Sequence, residues 1–220
     1  MRVLVIGAGG GIGAGLVAGY ARQGAEVVGL SRRSDGLDIT DEASIAKVLG
    51  RMDGEFDTVF VATGALELGG VAPEKSLRAL SAAAMLEQFA LNAMGPALVL
   101  KHAARLLPRD RPARFAALSA RVGSIGDNAL GGWYSYRAAK AALNQFIHTG
   151  AIELARSHPH SVVVVLHPGH VTTPLSVKYG GTLPAVSPEV AAANLIGVLA
   201  GLTPTDSGGF FDWAGKPIVW

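Results

Sequence analysis

Apolar residues fall in short runs separated by longer amphipathic stretches. Residues 2–6, Arg-Val-Leu-Val-Ile, make a compact apolar run that meets a glycine cluster, the pattern of a buried parallel strand. Similar runs recur at 26–30, 58–62, 114–118 and 161–166, the last almost without polarity, and residues 209–213 suit an edge strand. Leu37-Asp38-Ile39 alternates and predicts a further, very short strand. Between the runs the spacing predicts helices over 12–23, ended by Gly24, and over 41–50, capped by Thr40 or Asp41. Others are predicted over 73–107 as two helices, over 134–156 and over 188–200. Strands alternating with helices imply βαβ units. The fold expected is therefore α/β: a doubly wound parallel (Rossmann) sheet of six or seven strands, with residues 1–220 forming a single domain.

Composition narrows the class. Half of the 220 residues are hydrophobic and mean hydropathy is +0.35, which supports a large core and argues against disorder. No continuous apolar run reaches membrane-spanning length, and the apolar N-terminal run is too short for a signal peptide. The absence of Cys excludes disulfides, thiolate catalysis and thiolate metal sites. A net charge of +2, from 19 basic and 17 acidic residues without a dense basic block, gives no footprint for nucleic acid. A cytoplasmic protein with no membrane or nucleic-acid partner and no metal is the expectation.

Ligands of such sheets bind beyond the carboxyl ends of the strands, and the chemistry-bearing residues cluster there. After the first strand comes Gly7-Ala8-Gly9-Gly10-Gly11-Ile12-Gly13, with glycines spaced G-x-x-x-G-x-G at Gly7, Gly11 and Gly13. A sharp turn that feeds a helix N-terminus suits a pyrophosphate. No Walker-type Lys follows, which argues against a nucleoside triphosphatase. After the second strand stand Ser31-Arg32-Arg33, with no acidic residue until Asp35. Guanidinium groups bind phosphate in a fork, so Arg32, supported by Ser31 and Arg33, favours NADP(H) over NAD(H). Asp38 either accepts from an adenine amino group or caps the next helix. On the helix after the fifth strand, Tyr136 and Lys140 are four apart and share a face. An ammonium there is expected to lower the phenol pKa, so that Tyr136 exchanges a proton with a substrate oxygen.

These residues, together with Asn92 and Pro168-Gly169, resemble the short-chain dehydrogenase/reductase family over nearly the whole chain. The segments 122–134 and 208–220 are similar to its C-factor and sniffer-type carbonyl reductase branch. The resemblance implies hydride transfer between NADP(H) and a small-molecule carbonyl or alcohol, with Tyr136 as general acid and Lys140 holding the nicotinamide ribose. It gives Asn92 a proton-relay role. Pro96, four residues on, has no N–H to offer the Asn92 carbonyl, which frees that oxygen for a water.

It also implies that Gly64 approaches the cofactor, and that Pro168, Gly169, Val171 and Thr173 surround the nicotinamide amide. His170 is either a substrate contact or a plain loop residue. Residues 174–187 stand where the family has a substrate lid, with Gly180-Gly181 as a hinge, Leu175 and Tyr179 lining the pocket, and Trp133 either lining it or, by preference, packing. The chain departs from the pattern twice. Val61-Ala62-Thr63-Gly64 replaces Asn-Asn-Ala-Gly, and Ala120 falls where the family carries its catalytic serine. Ser119 is then the hydroxyl to test, with Ser124 another nearby. Members of the family also lead one to expect a homodimer or homotetramer. The competing reading is a nucleotide-binding signalling protein with the same fold and little turnover.

Overall fold

The computed structural model describes residues 1–172, 178–179 and 184–220. Six strands form one wholly parallel sheet in the order β2-β1-β3-β4-β5-β6. They are β1 (Arg2–Ile6), β2 (Glu26–Leu30), β3 (Thr58–Val61), β4 (Ala113–Leu118), β5 (Ser161–His167) and β6 (Phe210–Asp212). Among the described residues the α-helices include α1 (Gly11–Arg22), the short α2 (Arg32–Asp35), α3 (Glu42–Leu49), α4 (Ala82–Phe89), α5 (Gly95–Ala103), α6 (Tyr134–Leu154) and α7 (Pro188–Gly201).

The apolar runs are near-continuous because each central strand is covered twice. Val163, Val165, Phe115 and Ala117 pack with the helical layer of α3, α5 and α6. Val164, Leu166, Val5 and Phe60 pack with α1 and α7. The strand order reverses direction at β1 and β3, so the crevice between their carboxyl ends is where a ligand is expected.

Two expectations change. Leu37-Asp38-Ile39 is not a strand. Leu37 and Ile39 are buried and Asp38 makes a local turn, its Oδ1 accepting from the Thr40 N–H at 2.9 Å and hydroxyl at 2.6 Å. Burying two such side chains stabilises by about 1.5–3 kcal/mol each, which a loop achieves without a ladder. Residues 73–81 are not helical beyond a 3₁₀ turn at Leu77–Ala79; Ser81 caps the true start at Ala82.

From there the helical run continues to Leu106 through a π-helical stretch, Ala90–Met94, where the Gly95 N–H reaches back to the Ala90 carbonyl. This run is long and apolar enough to cross a bilayer by length and composition, yet Val99, Leu100 and Ala103 are buried in the core. Of the two caps offered for α3, Asp41 is the one used, accepting from the Ala43 N–H at 3.0 Å.

Candidate active site

The glycine turn is built on two positions that tolerate no side chain. Gly7 has φ +91°, and a Cβ there would lie 2.9 Å from the Ala62 carbonyl. A Cβ on Gly13 would lie 2.0 Å from the Gly7 oxygen, so the turn closes onto the first turn of α1. Gly11 opens α1 and instead lies against Pro188 of α7, while Ile12 packs into the α1/α7 layer. The helix start has no side-chain cap and no acidic residue in its first turn, and Gly9, Gly10 and Gly11 are exposed. Its N–H groups and dipole therefore suit an anionic group.

Beside it, Ser31 caps α2. Its Oγ accepts from the Ser34 N–H at 3.1 Å, so this hydroxyl is engaged locally. Asp35 is engaged too, accepting from the Ser31 N–H at 2.8 Å and the Ser34 hydroxyl at 2.5 Å. Arg32 and Arg33 are exposed, and no carboxylate among the described residues pairs with either. Asp35 is thus spent on a turn, and neither arginine is in a salt bridge among the described residues, though the Arg32 charge also helps hold Asp38 ionised; two such guanidinium groups fit a phosphorylated adenosine ribose. Asp38 is held below the usual carboxylate range, chiefly by the Thr40 hydroxyl and then by its N–H.

Across the crevice, Lys140 is 2% exposed and its Nζ donates to the Leu118 carbonyl at 2.8 Å. It lies 5.8 Å from the centroid of the Tyr136 ring. Gly64, at φ +144°, leaves open a place where a Cβ would sit 3.1 Å from Lys140 Nζ and 2.9 Å from Asn92 Oδ1. Tyr136, Lys140, Asn92 and Gly64 therefore converge. The electrostatics of the protein alone differ from expectation. Burial pushes the Tyr136 phenol up to about 12 and the Lys140 amine down to about 7. The amine is buried and spends a donor on a backbone carbonyl, while the Tyr136 side chain is half-buried at the edge of a cleft; packing around the phenol outweighs any acidifying effect of the amine on it.

Asn92 is fully buried and its side chain has a task that the sequence did not show. Oδ1 accepts from the Ala65 N–H at 3.1 Å, while Nδ2 donates to the Ala65 carbonyl at 2.8 Å and to Gln88 Oε1 at 2.6 Å. Gln88 Nε2 donates in turn to the Leu66 carbonyl at 2.8 Å. This pair braces the chain after β3, where the family's asparagines are missing.

Ser119, the hydroxyl singled out for test, is engaged away from the Tyr136 cleft. Its hydroxyl is buried and donates to Asn144 Oδ1 at 2.6 Å, on the α6 side of the sheet, as continued strand alternation requires. Ser124 is buried as well, accepting from the Asp127 N–H at 3.0 Å. Ala120 is half-buried on extended backbone.

After β5, Pro168 and Gly169 lead into the buried Val171, which bridges Val186; Gly169 sits under the Trp213 ring, and His170 is exposed. Thr173, Leu175 and Gly180-Gly181 lie outside the described residues. Tyr179 donates to Glu67 Oε2 at 2.6 Å, an oxygen shared with Lys178, and meets Trp133 edge-on with centroids 6.3 Å apart. Glu67, Gln88 and Glu74, which lines a small cleft with Tyr136, carried no local sequence signal.

Residues 1–182 match the family model for short chain dehydrogenases. A 1-hydroxy-2-glutathionyl-2-methyl-3-butene dehydrogenase of Rhodococcus sp. (strain AD45) is 32% identical over 188 residues, 84% of this chain and 79% of the relative. The C-signal protein of Myxococcus xanthus is 37% identical over 140 residues, 62% of this chain and 78% of the relative. Among solved structures, a short-chain dehydrogenase/reductase from Burkholderia multivorans with bound NADP superposes with a TM-score of 0.81 at 25% identity, covering 100% of this chain and 99% of that one.

Proposed function

The chain belongs to the short-chain dehydrogenase/reductase family, and from that premise we propose that it is an NADP(H)-dependent oxidoreductase interconverting a carbonyl and an alcohol. The observation that carries this reading is the convergence of Tyr136, Lys140 and Gly64 beside the glycine turn. The Rhodococcus relative, named for dehydrogenating a hydroxyl-bearing substrate, supports the chemistry, and the NADP-bound neighbour supports the cofactor.

Gly7, Gly11, Ile12 and Gly13 form the pyrophosphate turn. Arg32, with Arg33, takes the 2′-phosphate, Ser31 shapes that turn, and Asp38 faces the adenine. Gly64, Pro168, Gly169, Val171 and Thr173 surround the nicotinamide end. The bound dinucleotide supplies the hydride. Tyr136, with its pKa raised to about 12, is protonated at neutral pH and gives its proton to the substrate oxygen. Lys140 holds the ribose and Asn92 the segment beneath it. Exposed Leu86 and Phe89 of α4, and Phe146 of α6 in edge contact with Phe89, form the face we assign to a second copy. A cytoplasmic setting fits this chemistry.

NADPH oxidation against a panel of aldehydes and ketones tests the reading. Bound NADPH with no turnover on any carbonyl overturns it in favour of a signalling protein, a reading that Ala120 and the engaged Ser119 also support. Arg32→Ala is expected to weaken NADPH about tenfold or more while leaving NADH nearly unchanged, since a charge-assisted bidentate bond is lost only with the phosphate. Equal losses in fluorescence titrations would remove the clamp.

Ala120→Ser is expected to raise kcat. One preorganised donor to the developing oxyanion is worth on the order of 10²–10³-fold, and even a tenth of that is measurable. An unchanged kcat means that Ala120 does not face the substrate oxygen.

A further inference from the structure

The helix that carries Tyr136 is not capped by its own sequence. Trp133, just before it, is left-handed at φ +51° and makes no side-chain cap. The cap comes instead from Glu74, 61 residues upstream. The Glu74 carboxylate accepts from the Ser135 N–H at 3.2 Å and from the Ser135 hydroxyl, and its backbone carbonyl accepts from the Trp133 N–H at 2.6 Å. Glu74 is 6% exposed. Burial alone would raise its pKa; the Ser135 hydroxyl and N–H outweigh this, and the group remains an anion. No Lys or Arg among the described residues pairs with it. The positive end of a 21-residue helix takes that place.

A buried carboxylate compensated by a helix end and by hydrogen bonds from Ser135 and from its own N–H is costly to disturb. Glu74 is also part of the cleft. It lines this cleft together with Val71, Ala72 and Pro73, with Gln88 of α4 and with Tyr136.

We propose that Glu74 is a positioning residue for the reaction: its carboxylate ties the wall formed by residues 71–74 to the start of α6 and so fixes Tyr136 against the substrate. This rests on the oxidoreductase reading above. Among the described residues the chain before α4 is also held at Ala65 and Leu66 by Asn92 and Gln88, at Glu67 by Lys178 and Tyr179, and at Val71 by its N–H on the Leu68 carbonyl, all upstream of Glu74. Residues 71–74 meet the start of α6 through Glu74 twice, by its backbone carbonyl on the Trp133 N–H and by its carboxylate on Ser135, so loss of the carboxylate leaves only the backbone half of that tie, and a misplacement of about 1 Å in such a site costs on the order of 100-fold.

The test compares Glu74→Ala, Glu74→Gln and Ser135→Ala in the full chain. In Glu74→Gln the amide oxygen still takes the Ser135 N–H, and the Ser135 hydroxyl can turn to accept from the amide nitrogen. Glu74→Ala is expected to lower kcat/KM about 10–100-fold with the NADPH Kd changed less than about twofold. Glu74→Gln is expected to recover most of the loss, and Ser135→Ala to fall between. Hydrogen exchange gives a readout free of turnover: the Ser135 amide is protected in the wild type and in Glu74→Gln, and exchanges fast in Glu74→Ala.

Unchanged kcat/KM in Glu74→Ala overturns the proposal, as does NADPH affinity that falls in step with turnover, or failure of Gln to rescue. A wild type that binds NADPH but reduces no carbonyl sinks the oxidoreductase reading instead. The exchange pattern then still decides whether Glu74 caps the helix.

Discussion

Tyr136→Phe is expected to lower carbonyl reduction about 10²–10⁴-fold while leaving the NADPH Kd within a few-fold of the wild type. The reason lies in what the substitution keeps. The ring, its contact with Lys140 at 5.8 Å and its place in the cleft all survive; only the proton donor goes. At neutral pH the phenol is fully protonated, because burial holds it at about 12, so the wild type enters reduction with its acid loaded. Stopped-flow or steady-state NADPH oxidation, paired with a binding titration, checks both halves. Turnover that survives the loss of the hydroxyl would move the proton donor elsewhere.

The second large effect is on stability. Lys140→Met is expected to stabilise the protein alone at pH 7 and to abolish most of its turnover. In the unfolded chain the amine takes its proton near the ordinary lysine value of 10.5; in the fold it does so only at about 7. Between those values the unfolded state binds more protons, so wild-type stability rises with pH from about 7 to about 10. The upper bound on that rise is about 4 kcal/mol.

Above pH 10 the sign reverses. Tyr20 and Tyr136 keep their protons in the fold up to about 12, so the stability they contribute below pH 10 is lost as the pH climbs through their folded values. Urea titrations at pH 7, 8.5 and 10 should show a rising line for the wild type and a flat one for Lys140→Met. A flat wild-type line would mean that the amine stays hydrated.

What the sequence disclosed follows a simple division. Strands buried on both faces announce themselves, and Ser161–His167 needed only its run of valines. Gly7 and Gly13 were legible because a turn that excludes Cβ atoms leaves no other residue type. Leu37-Asp38-Ile39 misled because alternation marks burial of two side chains and does not guarantee a neighbouring strand.

Ser119 was half legible. Its neighbour Ala120 showed that a hydroxyl was displaced, but the partner that absorbs it, Asn144, lies 25 positions on. Asn92 was found for its backbone, yet its side chain works on Ala65, 27 positions away. Glu74 was missed altogether, since a residue in an irregular stretch gives no periodic sign of capping a helix 61 positions later. The electrostatic forecast for Tyr136 and Lys140 failed for a related reason. Spacing reveals that two groups are near each other, while solvent exclusion, which decides both protonation states, belongs to the assembled whole.

The short bridge between Val171 and Val186 reaches further than its two hydrogen bonds, Thr172 N–H to the Val186 carbonyl and Val186 N–H to the His170 carbonyl. It pins together the two ends of the intervening stretch, so the chain on either side is positioned by this closure. Doubling an excursion whose ends are already joined costs only about 0.6 kcal/mol. A change of length between residues 172 and 186 is therefore expected to leave β5 and α7 on either side in place.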